Sequence, residues 1–198
     1  TLQLAHDETS DELGRGDMEK VIRGFMNATS DSIVVTAFIS NNHRSLSILK
    51  SDIKMPIVVM SSKMLRPSPL TWSERTFEMS VLDPPLDDST DWLLLNPDRL
   101  GFYRVNYDNN NWRCLIQALK SHRDAFSHET VAQLIDDALS LGREHLLSYH
   151  IVLNMVESLE QESSIIVWNA ASLNLLELNN RIRDLDFHQQ FRVSHKNQ

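Results

Sequence analysis

Cysteine occurs once in this 198-residue chain, as Cys114, and glycine only five times. One thiol cannot close an internal disulfide, and it cannot supply a four-thiolate zinc site or hold an iron–sulfur cluster. Its expected place is in the core, as a small side chain. Five glycines leave little room for a phosphate-cradling loop, and no Gly-x-Ser-x-Gly elbow is present. Basic charge is also in short supply: 19 Lys and Arg stand against 27 Asp and Glu, a net charge of -8 at pH 7. Binding to a phosphate backbone draws on clustered cations that release counterions, so no nucleic-acid partner is expected. No apolar run reaches the roughly 18 to 20 residues that cross a bilayer, so no transmembrane segment is expected either. Residues Thr1 to Arg15 are acidic and polar where a signal peptide would be basic and then apolar. The chain begins without Met, which reads as a processed product or a piece of something longer.

What is present describes a soluble globular chain, 41% hydrophobic and 23% charged, long enough for one ordinary domain or two small ones. Met18, Val21, Ile22 and Phe25 fall at helical spacing and predict a helix from Asp17 to Met26. Ile33 to Ile39 and Ile57 to Met60 are short and β-branched, and predict strands, with a turn after Asn41-Asn42 between them. From Met55 to Tyr107 short apolar segments around Ile57, Phe77, Leu93 and Phe102 to Tyr107 alternate with Pro, Asp and Ser. Pro67, Pro69, Pro84, Pro85 and Pro97 each fix φ and remove an N–H donor, leaving pieces too short for helices; the block is read as all-β.

After Asn111 proline disappears and the period changes. Three stripes at helical spacing follow: Trp112, Leu115, Ile116 and Leu119; Val131, Leu134, Ile135, Ala138 and Leu139; Ile151, Val152, Met155, Val156 and Leu159. Ile165 to Leu178 is apolar on nearly every face and is expected to lie buried between neighbours. Ser127 and Ser148 stand where N-caps are wanted. Two antiparallel helix pairs are therefore expected, at a spacing that resembles an α-solenoid, with a frayed tail over 187–198.

Chemistry-bearing constellations are few. A zinc-binding His-Glu-x-x-His helix places two imidazoles one turn apart around a metal, with the Glu activating its water. His128-Glu129 comes nearest, but Ala132 occupies the second ligand position, and His145 and His150 are five apart and face differently. Asp136 and Asp137 are about 100° apart on a helix, so they do not converge on a substrate, and one of them is expected to brace a neighbouring helix or loop. Trp72, Trp92, Trp112 and Trp168 sit on apolar stripes, as core aromatics do. Asn27-Ala28-Thr29 makes Asn27 the one candidate N-glycosylation acceptor.

One stretch is specific: Asp91-Trp92-Leu93-Leu94-Leu95-Asn96, then Gly101-Phe102-Tyr103-Arg104-Val105-Asn106-Tyr107-Asp108, then Asn111-Trp112. It resembles the aminopeptidase N family of zinc exopeptidases where the β-sandwich domain of that family ends. Ala132 to Ala138, Val167 to Ala171, Met55 to Met60 and Glu74 to Phe77 are similar to further segments, so the resemblance covers residues 55–183. The resemblance implies an α+β chain: a small β-sandwich over 55–108, then the start of an all-α, helical-repeat C-terminal domain over 109–186. Residues 1–54 match poorly; Met18 to Phe25 would correspond to the last helix of a catalytic domain, and Ala28 to Ser51 reads as an insertion. Thr130-Val131 replaces the Asn-Arg usual in the family, and the connection from Phe77 to Trp92 is short.

In the whole family, the resemblance implies, the sandwich spaces the zinc domain from a helical domain that closes over the substrate. The metal ligands, the general-base Glu, the transition-state Tyr and the residues gripping the free amino group precede the covered region. No catalytic or metal residue is therefore assigned here, and zinc is expected only in the full-length family. The expected role is a non-catalytic scaffold or lid, in an extracellular or membrane-associated setting. Its partners would be the catalytic domain of a parent protein or other copies of the chain; the alternative is a helical-repeat module binding a protein or peptide.

Overall fold

The computed structural model describes residues 21–28, 33–40, 54–74, 76–80, 86 and 89–184. They form a mixed α+β arrangement in which eight strands precede four helices. The strands are β1 (Val21–Ala28), β2 (Ile33–Ser40), β3 (Lys54–Ile57), β4 (Val59–Ser61), β5 (Thr71–Glu74), β6 (Thr76–Ser80), β7 (Leu93–Leu95) and β8 (Arg104–Tyr107). The helices are α1 (Asn109–Ser121), α2 (His128–Arg143), α3 (Tyr149–Glu157) and α4 (Ile165–Arg181). One four-stranded sheet runs β6-β1-β2-β8, with β2 and β8 parallel; β3 pairs with β5 and β4 with β7, both antiparallel.

The helix expected over Asp17 to Met26 is corrected in its described part: Val21–Ala28 is a strand, paired antiparallel with β2 along all eight residues and with β6 along Val21 to Phe25. Val21, Ile22 and Phe25 suit a pleated surface as well as a helix face, and Gly24 at mid-segment is costly in a helix. Two neighbouring strands then decide between the options. The strands read at Ile33 to Ile39, Phe77 and Leu93 are present; the one read at Ile57 to Met60 is broken at Val58 between β3 and β4, and the one read at Phe102 to Tyr107 is confined to Arg104–Tyr107. The turn at Asn41-Asn42 and the tail 187–198 lie outside the described residues.

All four helices form, three with side-chain caps. Asp108 accepts from the N–H groups of Asn110 and Asn111 (2.8 and 2.9 Å), Ser127 from Thr130 N–H (3.1 Å) and Ser148 from His150 N–H (3.3 Å). Each cap satisfies an N–H that the first helical turn leaves without an intrahelical partner. The helices pack in two rows, α1 on α3 and α2 on α4, with α3 also touching α2. One core runs through both halves: Leu93, Leu94 and Leu95 of β7 and Val105 and Tyr107 of β8 join Trp112, Leu115, Leu134, Ile135, Val152 and Met155. Cys114 lies within it, as do Trp92 and Trp112; Trp168 is half-buried against it.

The last helix departs from expectation. Only Val167 and Ala171 of α4 are buried, while Ile165 and Leu173 are each 74% exposed and Leu176 is 58% exposed. Uniform apolarity predicts enclosure, but among the described residues α4 packs against α2 while Ile165, Leu173 and Leu176 stay exposed.

Gly142 marks a close approach of α2 to α3. A Cβ there would stand 2.7 Å from Val152 Cγ2, and Val has little χ1 freedom to move aside. Gly to Ala in a helix ordinarily adds roughly 0.5–1 kcal/mol of stability. Here Gly142→Ala is expected to cost about 1–3 kcal/mol instead, as overpacking does. Urea unfolding gives the sign, and an unchanged or raised midpoint would show that α2 and α3 are less close.

Candidate functional site

The strand–helix junction concentrates the buried polar groups. It begins at Asn96, which is buried with φ 57° and follows directly on β7. Its side chain brackets the connection to β8: Oδ1 accepts from Gly101 N–H (2.7 Å), and Nδ2 donates to Gly101 C=O (2.9 Å) and Tyr103 C=O (3.3 Å). Asp98 and Arg99 also hold positive φ, 58° each. Such conformations are unfavourable for non-glycine residues and persist where surroundings fix them. Here α2 does the fixing. Asp98 N–H donates to Thr130 Oγ1 (3.0 Å), Arg99 N–H donates to Gln133 Oε1 (3.2 Å), and the Ser127 hydroxyl donates to the Asp98 carboxylate. Gly101 is required by space: a Cβ would stand 2.3 Å from Tyr103 Cε1.

Strand β8 is held to the same helix by two carboxylates. Val105 N–H donates to Asp137 Oδ2 (2.9 Å), and Arg104 Nη1 reaches Asp136 Oδ2 (2.7 Å) and Asp137 Oδ1 (3.2 Å). Asp136 is also paired with Arg99 and accepts from Asn174 Nδ2 of α4 at 2.9 Å. Burial alone would raise the Asp136 carboxyl, but Arg104, Asn174 and Arg99 outweigh it and hold the group below its ordinary range. Asp137 is enclosed, and burial pushes it up to about 7 against the opposing pull of Val105 N–H and Arg104. The two neighbours split because Arg104 is shared and Asp136 has two further donors.

On the other side of the strands, Asn111 of α1 pairs with the backbone of Leu93, accepting from its N–H and donating to its C=O, both at 2.8 Å. Leu95 N–H donates to Tyr107 Oη (2.9 Å), and Trp112 Nε1 donates to Asn106 Oδ1 (3.0 Å). The expectation that one of Asp136 and Asp137 braces a neighbouring helix or loop is met by Asp136, which reaches Arg99 of the turn and Asn174 of α4, while Asp137 binds strand β8. The roles of Asn96, Asn111, Thr130 and Gln133 were not read from sequence; a polar residue inside an apolar stripe, as Gln133 is, was the available signal.

The histidines do not gather. His128, at the start of α2, accepts from Arg123 Nη2 (2.9 Å); His145 sits in a turn at φ 59°; His150 on α3 meets Asn154 at 3.4 Å. All three are exposed. Among the described residues no group of three or more His, Cys, Asp or Glu side chains could hold a metal ion. The described residues therefore supply no ligand set through which a zinc-assisted step can be derived. The arrangement at the junction is suited to holding strands and helices in a fixed relation. Asn27 lies in β1 opposite Val34, and Thr29 of its sequon is outside the described residues. Trp72 lies in β5 opposite Pro56.

Residues 92–195 match the model of the ERAP1-like C-terminal domain. Among curated proteins, the chain is similar to human aminopeptidase Q, with 28% identity over 76% of this chain and 15% of that protein. Human glutamyl aminopeptidase is 34% identical over 50% of this chain and 12% of its own length. The human thyrotropin-releasing hormone-degrading ectoenzyme is 42% identical over 46% of this chain and 8% of its own. The chain thus spans no more than about a seventh of the length of these relatives. The family match begins at Trp92, just before β7, and takes in the strand–helix junction and all four helices. This chain belongs to the aminopeptidase N family, with an ERAP1-like C-terminal domain as its matched part.

Proposed function

We propose that the chain is the non-catalytic scaffold and lid region of an aminopeptidase N-like zinc metallopeptidase, an enzyme removing N-terminal residues from peptides. The observation that carries this is the coincidence of the family match with a junction whose buried polar groups are spent on fixing strands against helices. A part that must keep a substrate-covering domain in place needs such a joint. In this reading residues 55–108 are the β-sandwich domain, with β1 and β2 of the poorly matched 1–54 segment joined to β6 and β8 in one sheet, and 109–186 begin the solenoid-like C-terminal domain. The two rows of helices, α1 on α3 and α2 on α4, support the solenoid reading. Zinc would reside in the parent catalytic domain, which is the proposed partner. The name of the ectoenzyme relative and the sequon at Asn27 support an extracellular or membrane-associated setting.

The test is hydrolysis of an aminoacyl chromogenic substrate by the purified chain, with and without zinc. No release is expected above background. Zinc-dependent turnover that a chelator abolishes would overturn the reading. A second reading, an interaction module for a protein or peptide, draws on the open apolar face of α4 and on the exposure of Tyr149 and Leu153 on α3. Sedimentation at several concentrations separates the two: a monomer at all of them argues against the module, and concentration-dependent association favours it.

A further inference from the structure

We propose that the Asp136–Arg104–Asp137 cluster is a proton-operated latch between β8 and α2, closed most firmly when Asp137 carries a proton in mildly acidic water. The geometry comes first. Asp137 is enclosed at the meeting of two elements, and among the described residues its guanidinium contact is through Arg104 Nη1, the same nitrogen that lies nearer to Asp136. Enclosing a carboxylate with half a counterion is unfavourable, and a proton on the inner carboxyl removes that cost while the outer one keeps its charge.

The groups facing Asp137 can be followed element by element. Its own helix supplies Asp136, which opposes its ionisation; β8 supplies Arg104 and the Val105 N–H, and the turn before β8 supplies Arg99, all three favouring ionisation. The phenols of Tyr103 and Tyr107 are the other titratable neighbours, and both are held protonated by burial first and by Asp137 second. Helix α4 contributes the neutral amide of Asn174, to Asp136. Burial is the largest of these influences and raises Asp137 to about 7.

The sign follows from linkage. An unfolded Asp loses its proton near the ordinary value of 3.8, whereas the folded chain keeps it to about 7. Between those limits the folded state binds the extra proton, so stability is full below the lower limit and falls as pH rises toward the upper one. The other shifted carboxylates, Asp136, Glu157, Glu162 and Glu177, are all lowered, so their contributions change in more acidic water.

The experiment compares urea unfolding of the full chain and of Asp137→Asn at half-unit steps from pH 5 to 8. The wild-type folding equilibrium constant is expected to fall by up to about tenfold per pH unit relative to the variant, as release of one proton requires. Protection of the Val105 amide against hydrogen exchange, corrected for the intrinsic rate, is expected to fall in parallel. Profiles that run parallel for the two proteins would overturn the latch. Should the variant not fold, carbon-13 titration of the Asp137 carboxyl in the wild type decides: a midpoint near 7 supports the proposal, and one below 4 removes it.

Discussion

Replacing Trp112 with alanine is expected to lower the stability of the folded chain by about 3–5 kcal/mol, the largest loss from any single truncation in the core. The indole is fully enclosed, sits edge-on to Tyr107 with ring centroids 5.2 Å apart, and donates through Nε1 to Asn106. Truncation therefore removes buried apolar surface, opens a cavity, ends an aromatic contact worth roughly 0.5–1.5 kcal/mol and leaves Asn106 Oδ1 without that donor. Trp112→Phe separates these contributions. It keeps most of the volume and loses the N–H, so a cost nearer 1–2 kcal/mol is expected from the lost bond and reduced size. Guanidinium unfolding of both variants measures the difference. Equal midpoints for Ala and Phe would mean that the ring is not packed as described.

Arg104→Ala ranks second, at about 3–5 kcal/mol near neutral pH, the range found when one partner of a buried charge pair is removed. Asp136 would retain Arg99 and Asn174, but Asp137 would lose the guanidinium of Arg104 and keep, among the described residues, the Val105 N–H. The loss should shrink in mildly acidic water, where a protonated Asp137 needs no counterion. Combining Arg104→Ala with Asp137→Asn should recover part of the stability, because the two residues share one interaction and their effects are not additive. Unfolding midpoints at pH 5.5 and 7.5 for the single and double variants check this. A double variant as unstable as the sum of the two singles would show that Arg104 acts elsewhere.

The parts legible in sequence were those where local chemistry and global fold agree. Ser127 and Ser148 cap helices because a hydroxyl before an apolar-periodic run has one obvious N–H to satisfy. Prolines through residue 97 kept the first half in strands, and their absence afterwards allowed four helices. Local chemistry misled at β1, where residues 18, 21, 22 and 25 imitate one face of a helix although the backbone bonds come from β2 and β6. It also misled at α4, whose uniform apolarity says that something covers it without saying that the cover is in this part of the chain. The junction was only half legible. Asp136 and Asp137 could be read as braces because adjacent helix positions diverge, but their partners lie 32 to 38 residues away, beyond any periodicity. Gln133 shows only as a polar residue in an apolar stripe, its partner Arg99 lying 34 residues away, and Asn96, though its partners are five and seven residues on, depends on a positive-φ turn that no periodicity announces.

The turn between β7 and β8 takes its unfavourable backbone conformation from hydroxyl and amide groups on α2, and α2 takes its first-turn cap from the same serine that binds the turn. Neither piece is finished without the other. A protease cut at Asp108 would therefore not release two autonomous modules: the turn would lose the groups that impose its shape, and the helix would begin on an unanchored serine. Formation of this joint has to wait until segments some thirty residues apart have met, so strands and helices should assemble in one concerted event and come apart in one.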